Sequence, residues 1–347
     1  MSKHRKSEGL LQQIKEKAFA DCRPIQATFE LTARCGMNCR MCYVHLHSNE
    51  IPKTGRGREL TAGEWIRMGE QAQKAGVFSL CITGGDPLLH PEFDAIWRAL
   101  SQMGFRITLQ TNAYSITEKV EELFYEYPPQ EAKITLYGSN DEVYRKVCQV
   151  EHGFTKVDEG IRKLRNLKIP VQLVTTFVKQ NIEDQDNIFR YALKNHYGWY
   201  YSTCCYPSLR GATTDVNECA LSAYDLGCEH EVSQEWNKKP FIKMEKRPCE
   251  YSDLYRTGYV ITWDGYMRFC LFLNEPKIDV LTETFEENWD ELQEYCKSIR
   301  WPEKCYTCEI RNKCRRCIAT LACNNGGIGK LYDTYCKKVI QLLKIDI

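Results

Sequence analysis

Cys35-Gly-Met-Asn-Cys39-Arg-Met-Cys42-Tyr43 is the stretch on which the reading of this chain turns. It leaves a predicted strand, Ile25 to Leu31, so the cysteines sit on the loop at that strand's end. The spacing is C-x3-C-x2-C. Three thiolates on one short loop hold three irons of a cubic [4Fe-4S] cluster and leave the fourth iron without a protein ligand. A structural zinc site needs four closed ligands. His45 and His47 are the nearby candidates for a fourth, so zinc is the alternative on this stretch alone.

The rest of the chain weighs on that choice. It has 347 residues, enough for two domains or one large one with an appendage. Hydrophobic content is 43%, ordinary for a globular protein. Net charge is +1, which argues against nucleic acid or an anionic membrane as the main partner. The basic start (Lys3, Arg5, Lys6) lacks the apolar region of a secretory signal. No run approaches the roughly 18 apolar residues of a membrane span. The expectation is a cytoplasmic protein. Nineteen cysteines in a reducing compartment read as metal ligands or redox groups, not disulfides. A disulfide-rich secreted protein is opposed by the missing signal and the chain length.

Outward from the cysteine loop, the pattern alternates. Residues 8–20 read as a short amphipathic helix, with Leu10, Leu11, Ile14 and Ala18 on one face. Thr61-Ala-Gly-Glu64 is a capping box that starts a helix to about Ala75. Val77 to Thr83 is the apolar run of a buried parallel strand, ending at Gly84-Gly85-Asp86-Pro87. Helix 92–103 leads to strand Phe105 to Gln110 and Thr111-Asn112-Ala113. Helix 116–126 leads to strand Ala132 to Tyr137 and Gly138-Ser139. Helices 154–167 and 183–195 precede strands Val171 to Phe177 and Gly198 to Cys204. Six strands with helices between them predict right-handed βαβ units and a parallel sheet. A partial (β/α)6 barrel, TIM-like but open on one side, is the expected fold, with a doubly wound sheet as the competitor. Either puts the cysteine loop, Gly84-Gly85, Thr111-Asn112 and Cys204 on one rim.

Residues 205–245 read as a polar bridge, with Ser222-x-x-Asp225 starting a helix to about Trp236. From residue 246 the character changes. Cys249 precedes a hairpin, Tyr259 to Trp263, turn Asp264-Gly265, then Tyr266 to Cys270. Cys305-x2-Cys308-x5-Cys314-x2-Cys317 follows, and then Cys336. Four cysteines within thirteen residues are a strong metal signal, locally also that of a zinc ribbon. The organisation expected is an N-terminal helix over 1–24, a barrel over 25–204, a bridge over 205–245 and a cysteine-rich domain over 246–347.

These motifs together resemble a family. C-x3-C-x2-C after a first strand resembles the signature of radical S-adenosylmethionine (SAM) enzymes. In that family the open iron chelates SAM, and an electron splits SAM into methionine and a 5′-deoxyadenosyl radical. The resemblance implies that Cys35, Cys39 and Cys42 hold the catalytic cluster. The family usually has an aromatic residue just before the last cysteine, contacting adenine through its backbone. Here Met41 stands there and Tyr43 follows the cysteine. Gly84, Gly85, Asp86 and Pro87 resemble the family's Gly-Gly-Glu-Pro motif, which binds the SAM amino group. Asp86 is one methylene shorter and keeps the charge. Thr111 and Asn112 resemble a Thr-Asn-Gly turn of the same family.

The C-terminal cysteines resemble the SPASM domain, which binds two auxiliary [4Fe-4S] clusters. That family has x3 where this chain has x2, between Cys314 and Cys317. Sequence proximity alone makes Cys317 the fourth ligand of Cys305, Cys308 and Cys314. The resemblance instead implies one cluster on Cys305, Cys308, Cys314 and Cys336, and another on Cys249, Cys270 and Cys317. Cys228 and Cys323 are the candidates for the missing ligand, with an iron left open for substrate as the alternative.

What the resemblance implies is a peptide maturase. It would abstract a hydrogen atom from a ribosomally made precursor peptide, giving a crosslink, a thioether or an epimerised residue. It would need an electron donor such as a flavodoxin or ferredoxin. Leader recognition would use a separate protein or the barrel surface. The alternatives are an anaerobic sulfatase-maturating enzyme, a SAM-dependent dehydrogenase of a small molecule, and a non-catalytic iron–sulfur or zinc protein. The sulfatase-maturating enzymes carry an Asp after the Cys of G-x4-C, where this chain has Leu271.

Cys204 and Cys205 end the sixth predicted strand, and only one of two successive residues faces the lumen. That thiol is expected to touch substrate as a hydrogen-atom donor, against the plainer reading of a packed core thiol. Cys22, Cys81, Cys148 and Cys296 read as core or surface thiols.

Overall fold

A computed structural model describes residues 3–221 and 254–311 continuously, and then 314, 317–319, 336–337 and 340. The bridge helix, Cys228, Cys249 and Cys323 lie outside the described residues.

Helix α1 spans Lys3–Ala20 and strand β1 Gln26–Glu30. Helix α2, Ala62–Lys74, starts at the predicted capping box, with Thr61 and Glu64 bonding each other's backbone. Then follow β2 Ser79–Thr83, α3 Phe93–Gln102, β3 Arg106–Thr111, α4 Glu118–Glu126 and β4 Glu131–Thr135. Two helices, α5 Asp141–Cys148 and α6 Gly153–Asn166, lead to β5 Val171–Thr176. Helix α7, Gln185–Lys194, leads to β6 Gly198–Ser202. Strands β7 Gly258–Ile261, β8 Tyr266–Arg268 and β9 Ile278–Asp279 complete the sheet, followed by a helix at Phe285–Ser298.

The strand order is β6-β5-β4-β3-β2-β1-β7-β8-β9. Strands β1 to β6 pair in parallel, each with its sequence neighbour. With β6 and β9 at its two ends the sheet does not close, so the architecture is an open partial barrel. Side chains alternate across it. Leu80 and Ile82 of β2 and Ala132 and Ile134 of β4 are fully buried in the core under the helices. Cys81, Lys133 and Thr135 point the other way, and the latter two line a cavity in the lumen. Trp65 and Trp97 are fully enclosed, with Phe29 against Trp65 at 5.2 Å. Each such side chain contributes roughly 2–3 kcal/mol.

Three features depart from the sequence reading. Helix α5 had no counterpart in it, although Asn140 caps it and Asp141 and Glu142 fill its first turn. The helix Phe285–Ser298 starts at an unread capping box, Thr284 with Glu287. The hairpin is present, with Val260 opposite Arg268 and Ile261 opposite Met267, but its ladder is shorter. Thr262, Asp264 and buried Arg268 bond one another and widen the turn. The hairpin also extends the main sheet, since β7 lies parallel to β1 from Gln26↔Gly258 to Phe29↔Ile261. Pairing covers an edge that β1 would otherwise expose.

Candidate functional site

The cysteine loop runs from the end of β1 across the top of the sheet. Its fold is held from two sides, by the end of α5 and by the segment after β6. Arg40 donates backbone and side-chain N–H groups to the carbonyls of Val147 and Lys146, at the otherwise unpaired end of α5. Asn38 N–H donates to Cys148 O at 2.9 Å. Leu209 N–H donates to Tyr43 O at 2.8 Å, and the Thr214 hydroxyl to Cys42 O.

Gly84 and Gly85 close the site from β2. A Cβ on Gly84 would meet Thr32 O at 2.6 Å, and one on Gly85 would meet Arg34 O at 2.5 Å. Glycine is needed here because β2's end presses on the backbone leading into the cysteine loop. Asp86 follows, with Pro87 starting a short turn, Pro87–Leu89. Asp86 N–H donates to Arg34 O, and its carboxylate accepts from the Thr111 hydroxyl at 2.7 Å. Thr111 therefore supports Asp86. Asn112 reaches Cys35, its side-chain amide donating to the sulfur at 3.3 Å.

These residues enclose one cavity of about 380 Å³. Cys35, Cys39 and Cys42 line it together with Gly84, Gly85 and Asn112. Tyr43, Thr111, Cys204 and Cys205 line it too. Asp86 and Pro87 are buried and do not line it.

The electrostatics follow from burial. The Cys35 thiol is pushed well up, first by burial and then by Asp86. Cys39 is raised by its hydrogen bond to Cys148 and then by burial, and Cys42 by burial to about 11. Such thiols stay protonated until a metal displaces the proton. The donor set fits an iron–sulfur cluster. Two of the three sulfurs already accept backbone N–H groups, Cys35 from Met37 at 3.4 Å and Cys42 from His45 at 3.3 Å. Hydrogen bonds of this kind stabilise bound thiolates. Burial raises Asp86 to about 6, and its bond from Thr111 opposes that only in part.

Under Tyr43 lies a buried pair the sequence did not signal. Glu30 Oε2 meets Arg210 Nη2 at 2.8 Å, and both side chains are enclosed. Arg210 also donates to Leu271 O at 3.1 Å, which ties the strap after β6 to the residue following Cys270. Above the pair, Phe272 stacks on Tyr206 at 3.8 Å and meets Tyr43 edge-on at 5.0 Å.

Cys204 and Cys205 both border the cavity, but their neighbours differ. Cys205 hydrogen-bonds to buried Cys219, whose thiol it pulls down. Cys204 N–H donates to the Ser202 hydroxyl, on the lumen side. Tyr206 hydrogen-bonds to Cys317 and has Cys204 and Cys270 nearby. Cys305 is buried, while Cys308, Cys314 and Cys336 are half-buried. Cys148, read from sequence as a thiol outside any motif, is buried against Cys39. No spacing could have announced it, because α5 carries it there.

Residues 29–192 match the family model of the Radical SAM superfamily. The chain is 24% identical to the AdoMet-dependent heme synthase of Methanosarcina barkeri, over 85% of this chain and 91% of that protein. It is 24% identical to the PqqA peptide cyclase of Ruegeria pomeroyi, over 49% of this chain and 44% of that one. Among solved structures, anSMEcpe with bound AdoMet superposes with a TM-score of 0.67 at 14% identity, covering 92% of this chain and 96% of that one. Streptococcus suis SuiB bound to precursor peptide SuiA gives 0.63 at 16% identity, over 86% and 73%. These superpositions show a shared fold.

Proposed function

We propose that this chain is a radical SAM enzyme that acts on a ribosomally made precursor peptide, abstracting a hydrogen atom from one residue to form a crosslink, a thioether or an epimerised centre. The observation that carries the reading is the meeting of Cys35, Cys39 and Cys42 with Gly84, Gly85 and Asn112 around one cavity. Cys35, Cys39 and Cys42 would hold a [4Fe-4S] cluster, which would supply the electron for reductive cleavage of SAM. The chain's own residues do the rest. Asp86 offers a carboxylate for the SAM amino group, and Thr111 orients it. Tyr43, Tyr206 and Phe272 cover one side of the cavity and exclude water, which matters for a radical that attacks any C–H bond it meets. Cys204 touches substrate and, for an epimerised product, is the hydrogen-atom donor. An electron donor such as a flavodoxin or ferredoxin completes the system.

The match to a PqqA peptide cyclase and the fold shared with SuiB support a peptide substrate. The nearness of Cys270 and Cys317 to Tyr206 supports an auxiliary cluster at the hairpin, with Cys249; a second, on Cys305, Cys308, Cys314 and Cys336, rests on the resemblance to the SPASM domain alone. A sulfatase-maturating activity is disfavoured because apolar Leu271, which cannot act as a base, lines the cavity next to Cys270. The breadth of the match to an AdoMet-dependent heme synthase favours a second reading, a substrate that is not a peptide. Co-expression with a short reading frame beside the gene tests the choice. Loss of a hydrogen pair from the peptide, or solvent deuterium at one Cα, supports the first reading. An unmodified peptide with 5′-deoxyadenosine still formed supports the second.

A further inference from the structure

We infer that Lys133 binds a carboxylate of the substrate at the floor of the cavity. Lys133 is the one charged side chain among the described residues that line it. It lies at the middle of β4, facing inward, and its ammonium meets Glu131 at 3.4 Å on the side away from the cysteines. Glu131 in turn accepts from the Thr108 hydroxyl. Lys133 also borders a lower cavity, walled by Leu11 and Lys15 of α1, so it stands at the neck between the two spaces.

The polar side chains that share the cavity with it are neutral. Gln110 of β3 and Gln172 of β5 are its partners across the sheet. Gln110, Thr135, Thr176 and Ser202 line the same cavity. The ammonium shares the cavity with the Gln110 amide and the hydroxyls of Thr135, Thr176 and Ser202, and its ion pair is with Glu131, so the cavity side is complementary to an incoming carboxylate. Charge-assisted bonds of this kind are the strong ones in a lumen of low dielectric. A cationic or purely apolar group would have to desolvate the ammonium without replacing its partners.

SAM has a carboxylate of its own, so the same chemistry has two sources. The proposed SAM-positioning residues lie at the ends of β2 and β3. Lys133 lies two residues below the end of β4, about 7 Å down the strand. That depth favours the substrate. The inference rests on the reading that this cavity takes substrate beside SAM.

The test uses the reconstituted holoenzyme with SAM, dithionite and two perdeuterated probes, N-acetyl-glutamate methylamide and N-acetyl-glutamine methylamide. Deuterium appearing in 5′-deoxyadenosine reports which probe reaches the radical. The acid should transfer about tenfold more than the amide. Lys133→Gln should erase that preference with the KM for SAM unchanged, and Lys133→Arg should keep it. Equal transfer from both probes, or none from either while 5′-deoxyadenosine forms, overturns the inference. A raised KM for SAM in Lys133→Gln also overturns it, because the ammonium then serves SAM. If that variant fails to fold, the probe comparison on the unaltered enzyme still decides. Failure of the unaltered enzyme to form 5′-deoxyadenosine at all would instead defeat the functional reading, and this inference with it.

Discussion

The Asn112 side-chain amide donates to the Cys35 sulfur at 3.3 Å, joining the end of β3 to the cysteine loop 77 residues away in sequence. An N–H···S bond stabilises the more negative, reduced state of a cluster bound to that sulfur. Asn112→Leu should therefore lower the cluster's reduction potential by about 40–60 mV, the equivalent of roughly one hydrogen bond. An EPR-monitored redox titration of the variant checks this. An unchanged potential would mean that Asn112 only shapes its own turn, through Tyr114 N–H.

Asp86 predicts a pH dependence. Burial raises its pKa from 3.8 to about 6, so the neutral carboxyl persists to higher pH than in a free aspartate. For stability, this group's contribution is fully present below its unfolded pKa and is lost as pH rises through about 6. For binding the sign reverses, because a cationic SAM amino group needs the carboxylate. SAM affinity should fall about tenfold per pH unit below about 6. Asp86→Asn should bind SAM weakly at every pH, with no such inflection. Equilibrium dialysis between pH 5 and 8 measures both.

Glu30 and Arg210 make the case for a buried pair. Removing one partner strands a charge that water cannot reach, so Arg210→Met should cost about 3–5 kcal/mol. The double change Glu30→Gln with Arg210→Met should be less destabilised than that single one. Thermal denaturation of the three proteins decides. A cost below about 1 kcal/mol for Arg210→Met would show that the pair does not hold the strap to β1.

How much of this was legible in the sequence depends on the distance over which each feature is encoded. The six parallel strands are written locally, in runs such as Val77 to Thr83, and the structure places them within two residues or so of their expected ends. The cysteine loop, Gly84-Gly85 and Thr111-Asn112 converge because every strand end points the same way. The pairing of β7 with β1 was not legible, since nothing in residues 258–261 names its partner. Glu30 with Arg210, and Cys39 with Cys148, are contacts between segments more than 100 residues apart. Lys133 looked like an ordinary strand residue, because the lumen gives polar side chains the same alternation that solvent does.

Cys204 and Cys205 separate by environment. Cys205 turns to buried Cys219, whereas Cys204 follows lumen-facing Ser202. For an epimerised product, Cys204→Ala should abolish it while 5′-deoxyadenosine still forms, and Cys205→Ala should retain it. Mass spectrometry of the substrate and chromatography of 5′-deoxyadenosine, run on both variants, are the measurements. Full product from Cys204→Ala would end its role as donor.

The measurement closest to the central claim is iron content together with SAM cleavage in the anaerobically reconstituted protein. Three clusters of four irons predict about twelve irons per chain, and 5′-deoxyadenosine on addition of SAM and dithionite. The triple change of Cys35, Cys39 and Cys42 to Ala should leave about eight irons and no 5′-deoxyadenosine. Zinc in place of iron, or iron without SAM cleavage in repeated preparations, would contradict the account.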